Sequence, residues 1–128
     1  MAMTAASEPI ARVLIVEDND GQVSSDITVT INVSDVNDAP TGTTLVVAAN
    51  EETATPIDIS GNVSDVDGTV DLSTTTVTSG PANGSLTNNG DGTFSYTGNT
   101  DFVGTDSFTY TVEDNDGQVS SDITVTIN

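Results

Sequence analysis

Residues 16–32 and residues 112–128 carry the same 17 residues, VEDNDGQVSSDITVTIN, without a single change. The copies start 96 residues apart. A period of that size is one ordinary β-domain, so a chain built this way is expected to fold as units in tandem, as a piece of a longer array. The repeat divides the chain into four parts. Residues 42–128 are expected to form one complete domain and residues 33–41 an interdomain linker. Residues 16–32 are expected to be the C-terminal strand region of a preceding repeat. Residues 1–15 match nothing ahead of the second copy and are expected to lack structure. They carry neither the basic start nor the apolar stretch of a secretory signal.

Threonine and valine dominate the sequence, which favours strands with one face inward and one face outward. No helical periodicity is present. Strands are expected at residues 43–48, 55–59, 70–78, 84–87, 93–97, 106–112 and 118–127. Seven short strands separated by turn signals predict an all-β, antiparallel, seven-stranded sandwich. Asn88-Asn89-Gly90-Asp91-Gly92 reads as a hairpin turn, with Asn and Gly where positive φ is required. Phe108, Tyr110 and Val112 share one strand face, and Ile123, Val125 and Ile127 share another; both are assigned to the core. Pro40, which cannot donate to a ladder, marks the linker and stiffens it.

The core is thin. Only Phe94, Tyr96, Phe102, Phe108 and Tyr110 supply aromatic bulk. Burial of each large side chain is worth roughly 2 kcal/mol, and chain ordering consumes most of that. Several reinforcements are excluded by composition, because the chain has no Cys, no His and no Lys. Disulfides and thiolate zinc sites therefore cannot form, and neither can a Lys–Asn isopeptide crosslink. The absence of His and Cys also removes nucleophile–base catalysis. Paired carboxylates can hydrolyse glycosides, but that chemistry needs a cleft and generally aromatic platforms, and there is no Trp. The chain is expected not to be an enzyme.

The net charge is −19, from 20 acidic residues against the lone Arg12. That excludes a phosphate backbone as partner and disfavours anionic membranes; no apolar run is long enough for membrane insertion. Scattered acids such as Asp58, Asp71 and Asp122 fall on outward strand positions and serve solubility. Asp91 is assigned to its turn, and Asp101 and Asp106 to capping around a bend at Gly104.

Clustered acids are different, because they repel one another unless a cation lies between them. Four clusters fall in loops: Asp35, Asn37 and Asp38; Glu51 and Glu52; Asp65 and Asp67; Asp114 and Asp116. Calcium takes six to eight oxygens from such loops. Neither an EF-hand loop nor a glycine-rich nonapeptide is present, so any site has to be assembled from distant segments.

Taken in order, Asp35-x-Asn37-Asp38-Ala39-Pro40, Glu51, Asp65-x-Asp67 and Asp114-x-x-Gly117 leading into a Thr/Val strand resemble a cadherin repeat. More closely, the chain resembles the bacterial cadherin-like, Ig-fold tandem repeats of large surface and secreted adhesins. The framework PANGSLTNNGDGTFSYT (residues 81–97) followed by DFVGTDSFTYTVEDNDG (residues 101–117) carries that likeness. It covers residues 33–128, with the second half of a repeat at residues 16–32. The resemblance implies an Ig-like sandwich with a calcium site at its N-terminal junction. Asn37 (through its carbonyl), Asp65, Asp67 and Asp114 would bind the ion directly, while Asp35, Asp38 and Glu51 would face ions shared with the preceding domain. Ala39 departs from the pattern, standing where cadherins usually carry a liganding Asn.

The expected function is that of a structural, calcium-stiffened extender of an extracellular bacterial adhesin or biofilm-type surface protein. The alternative is a module that binds carbohydrate or a like repeat. Expected partners are neighbouring repeats of the array. The duplicated strand adds self-association by strand exchange between molecules, as a minor, concentration-dependent species.

Overall fold

A computed structural model describes residues 9–128, and the side chains from Ile10 onward. The chain divides into two compact units, with the boundary between Val36 and Asn37. Among the described residues no helix is long and apolar enough to cross a membrane.

The smaller unit is a hairpin. Strand β1 (Pro9–Leu14) pairs antiparallel with β2 (Ile27–Asn32), Ile10 lying opposite Ile31 and Leu14 opposite Ile27. Part of the segment expected to lack structure is therefore a strand. Its sequence does not alternate cleanly, and what makes it a strand is the edge that β2 offers. Residues 1–8 lie outside the described residues.

The larger unit begins at Asn37, four residues before the expected linker ends. Pro40 is fully buried in it. Nine strands follow: β3 (Thr41–Gly42), β4 (Leu45–Val47), β5 (Thr55–Asp58), β6 (Val63–Ser64), β7 (Val70–Ser79), β8 (Gly84–Asn88), β9 (Thr93–Gly98), β10 (Asp106–Asp114) and β11 (Ile123–Ile127). They form a four-stranded sheet, β4-β11-β10-β7, a three-stranded sheet, β5-β9-β8, and a small β3-β6 pair. One pairing departs from the antiparallel expectation: β4 runs parallel to β11, Leu45 beside Val125 and Val47 beside Ile127.

The sheets close on a core of Ile57, Ile59, Phe94, Tyr96, Phe108, Tyr110, Val112, Ile123, Val125 and Ile127. Alternation supplies it, since every second residue of β9, β10 and β11 is buried. Phe94 of one sheet meets Phe108 and Tyr110 of the other, with ring centroids 5.0 and 6.0 Å apart in tilted geometry, the arrangement that aromatic quadrupoles favour. Gly84 passes over Tyr96 so closely that a Cβ there would sit 2.5 Å from the ring.

Strand directions fix two ends. β10 runs from Asp106 to Asp114 and β11 returns, so Asn128 lies beside Asp106 and Gln118 beside Asp114. The Asp114 end carries the acidic loops.

Candidate functional site

The turn after β10 fixes Asp114 by local geometry. Asp114 Oδ1 accepts the backbone N–H of Asp116 at 2.9 Å and of Gln118 at 2.8 Å. Gly117, at φ +86°, lets its own N–H reach the Asp114 carbonyl at 3.1 Å. These bonds saturate one carboxylate oxygen, fix the rotamer and leave Oδ2 free to face other loops. The same turn recurs at Asp18, whose Oδ1 accepts from Asp20 and Gln22 at 2.9 Å each, with Gly21 at φ +83°. The conformation is thus written in the turn residues themselves and is independent of the surrounding domain.

The larger unit brings two further segments to Asp114. Asn37 donates through Nδ2 to Asp114 Oδ2 at 2.6 Å and to Gln118 Oε1 at 2.8 Å. The Asp65–Asp67 turn is stitched to the β10–β11 turn by a reciprocal pair. Asn115 N–H donates to the Thr69 carbonyl, and Thr69 N–H to Asn115 Oδ1, both at 3.0 Å. Gly68 allows that approach, because a Cβ there would lie 2.9 Å from Asp65 Oδ2 and closer still to Asn115 Oδ1. Asp67 Oδ2 in turn accepts the backbone N–H of Asp38 at 2.9 Å.

Electrostatics divide these carboxylates. Asp65 is raised above the ordinary carboxylate value, first by desolvation, then by its contact with the Asp67 side chain, and further by the charges of Asp67 and Asp114. Asp114 is lowered, chiefly by the Asn37 amide and also by the N–H groups of its turn, against an opposing contribution from burial. Two carboxylate oxygens, Asp65 Oδ2 and Asp67 Oδ1, are buried with no hydrogen-bond donor among the described residues. Leaving such atoms unpaired is costly.

Of the residues singled out from sequence, Asn37, Asp38, Asp65, Asp67 and Asp114 meet at this end. Glu51 does not. The parallel strand β4 carries the chain to the opposite end, where Glu51 bridges to Gly98 and lines a cleft of about 360 Å³ with Tyr96, Phe102 and Asn128. The expectation that Glu51 faces the N-terminal junction is corrected by that strand direction. Asp35 belongs to the smaller unit and is exposed. Among the described residues no three carboxylates are gathered as a ready metal cluster; the loops are held by amide and backbone donors. Asn115, Gln118 and Thr69 were not foreseen, because attention to carboxylates passes over the amides, although Asn115 and Gln118 lie inside the duplicated DNDGQ.

A family model described as a bacterial cadherin-like domain matches residues 37–128. Among solved structures, the chain is similar to an endo-fucoidan hydrolase, MfFcnA9, from glycoside hydrolase family 107. The identity is 25% and the TM-score 0.48, over 97% of this chain and 22% of that one. No match was found among curated proteins.

Proposed function

The chain belongs to the bacterial cadherin-like domain family, and from that premise we propose that it is a calcium-stiffened, non-catalytic extender repeat of an extracellular bacterial adhesin or biofilm-type surface protein. The observation that most supports this reading is the pair of donorless buried oxygens, Asp65 Oδ2 and Asp67 Oδ1, next to Asp114. A buried carboxylate oxygen without a donor is a natural place for a cation. The atoms that Asp65, Asp67 and Asp114 offer are carboxylate oxygens, and the chain has no His or Cys, which suits a hard ion with a flexible coordination number.

Asp65, Asp67 and Asp114 are the residues that would hold calcium, with Asn37 contributing through its carbonyl. When bound, the ion supplies the positive charge that offsets their mutual repulsion. The chain's own residues do the rest. Asp114 is held in its rotamer before any ligand arrives, by two backbone donors on Oδ1. Asn37 and Asp38, the first residues of the domain, are already tied to the Asp114 and Asp67 loops. Whatever tightens those loops therefore fixes the direction in which the chain enters the domain. Stiffness at that entry is what an extender needs.

Calorimetry in EDTA, in millimolar magnesium and in millimolar calcium tests this. Calcium should raise the melting temperature strongly, with about 2.7 kcal/mol of added stability at a hundredfold excess over Kd. Magnesium should do so weakly, because it needs tighter octahedral geometry and releases water reluctantly. Melting curves that superpose in EDTA and calcium would overturn the proposal.

A further inference from the structure

Identical residues meet opposite fates in this molecule. In β11, Ile123, Val125 and Ile127 are 5%, 0% and 3% exposed; in β2, the identical Ile27, Val29 and Ile31 are 42%, 42% and 48% exposed. Both strands pair in the same register, Ile31 opposite Ile10 as Ile127 is opposite Asp106, and Ile27 opposite Leu14 as Ile123 is opposite Tyr110. β2 is a second β11 whose apolar face is open to water. Apolar faces of this kind mark interaction surfaces, and a two-stranded ribbon alone is marginal.

We infer that the partner of this face is a second copy of the chain, in which β2 of one molecule takes the β11 slot of another, antiparallel to β10 and parallel to β4. Chain length rules out the same exchange within one molecule. A β2 seated in its own slot would end with Asn32 at the Asn128 position, beside Asp106, while Asn37 is bonded to Asp114 and Gln118 at the other end. β10 separates those ends by about 26 Å at ~3.3 Å per residue. The connection from residue 32 to residue 37 reaches at most about 18 Å. Exchange in place would tear Asn37 out of the carboxylate loops, so it has to occur between molecules.

β1 does not follow β2 into the slot. Arg12 stands where the complete domain has Phe108, and Ile10 where it has Asp106. An Arg at the Phe108 position would bury the chain's lone cation between Phe94 and Tyr110. An Ile at the Asp106 position would strip Ala82 N–H, Asn83 N–H and the Tyr96 hydroxyl of their acceptor. The unit exchanged is one strand, and β1 dissociates from it. Because donor and resident strands are chemically identical, side-chain burial cancels in the exchange. Its extent follows concentration and the ease with which β11 frays. Reciprocal exchange closes a dimer, and one-way exchange extends an open chain.

The chain has no cysteine, which permits a direct test. Val125 lies opposite Leu45 in the β11–β4 ladder, so an exchanged Val29 of the donor lies opposite Leu45 of the acceptor. Full-length Val29→Cys and Leu45→Cys proteins are mixed under mild oxidation, with Thr28→Cys, on the other strand face, replacing Val29→Cys as control. The expected result is a disulfide heterodimer formed at least tenfold faster with Val29→Cys than with Thr28→Cys. Adding Val125→Asp to the acceptor, which spoils its own β11, should accelerate it further. Equal rates with the two donors, or no acceleration by Val125→Asp, would overturn the inference. In sedimentation experiments, Val125→Asp alone should assemble with rising concentration, and Val29→Asp/Val125→Asp should not. A Val125→Asp chain that stays unfolded at every concentration would count against the exchange, since an intact β2 is then unable to fill the slot.

Discussion

Asp106 and Tyr96 meet inside the core, the tyrosine hydroxyl donating to Asp106 Oδ2 at 2.9 Å. The same carboxylate accepts the N–H groups of Ala82, Asn83 and Ser107, each at 2.9 Å. It thereby fastens the β7–β8 connection and β9 to the start of β10. Burial alone would raise Asp106, but the Asn83 N–H, the Tyr96 hydroxyl and the other two donors together outweigh it and hold the group below the ordinary carboxylate value. Burial and the Asp106 contact push the Tyr96 phenol up to about 12. Asp106→Ala leaves four donors, the buried Tyr96 hydroxyl among them, without their acceptor and should cost about 3 kcal/mol or more in urea denaturation. Asp106→Asn, which keeps one acceptor, should cost less.

Tyr110 shows the converse. It is fully buried, its hydroxyl has no partner among the described residues, and burial raises its phenol to about 12. Tyr110→Phe removes an unpaired polar atom while keeping the ring against Phe94 and Phe108. It should raise stability by about 1 kcal/mol. A loss of stability on chemical denaturation would mean that the hydroxyl is satisfied in solution.

pH separates the two kinds of carboxylate. Asp106 and Asp114 are lowered in the fold, so the stability they contribute is complete above the unfolded value near 3.9 and is lost as pH falls through their folded values. Asp65 is raised, so the folded state holds its proton more firmly, and stability falls as pH rises from the unfolded to the folded value. Without calcium, the melting temperature should rise modestly as pH falls from the folded value of Asp65 toward the unfolded carboxylate value, then drop as pH falls below about 3.9 and through the folded values of Asp106 and Asp114. With saturating calcium the modest rise should vanish, because a cation favours the charged form of Asp65. A scanning-calorimetry series at 1 pH-unit steps, with and without calcium, checks both limbs.

Ligand substitutions should sort by loop. Asp67→Ala and Asp114→Ala are each expected to weaken calcium binding at least tenfold in titration calorimetry. Asp91→Ala, in the β8–β9 turn, and Asp122→Ala, exposed before β11, should leave it within twofold. Equal effects from all four would indicate diffuse attraction by the charge of −19 instead of a defined site.

Gly68 gives a steric test of the same loops. Gly68→Ala would press its methyl on Asn115 Oδ1 and Asp65 Oδ2 and should open the Asn115–Thr69 pair. The expected outcome is faster amide hydrogen exchange at Thr69 and Asn115 and weaker calcium binding, with the core exchange rates unchanged.

Much of this was readable in advance. The strict alternation of Phe94, Tyr96, Phe108, Tyr110, Val112, Ile123, Val125 and Ile127 announced both strands and core, since a period of two leaves little choice of face. The acidic loops were legible as clusters. Other features depend on pairing partners that local patterns do not encode. β3 and β6 are two residues each and exist only through each other. β1 depends on β2. Glu51 was misplaced because the end of the domain it reaches depends on β4 running parallel to β11, and neighbouring residues say nothing of that. Capping around Gly104 is all that the local sequence of Asp106 suggests; its four donors come from two strands, β9 and β10, and from the β7–β8 connection.

The parallel pairing of β4 with β11 has a mechanical consequence. Asn128 N–H bonds the Val47 carbonyl at 2.9 Å, and Ala49 N–H bonds the Asn128 carbonyl at 3.0 Å. Asn37 lies at the far end, beside Asp114 and Gln118. A pull applied between Asn37 and Asn128 drags β4 and β11 past each other lengthwise, across the direction of their hydrogen bonds. Such bonds are loaded together and fail together, whereas a hairpin pulled from its open end unzips one rung at a time. Resistance to tension in this domain therefore resides in the short β4–β11 ladder, and the rate at which that ladder shears sets how long the domain survives under load.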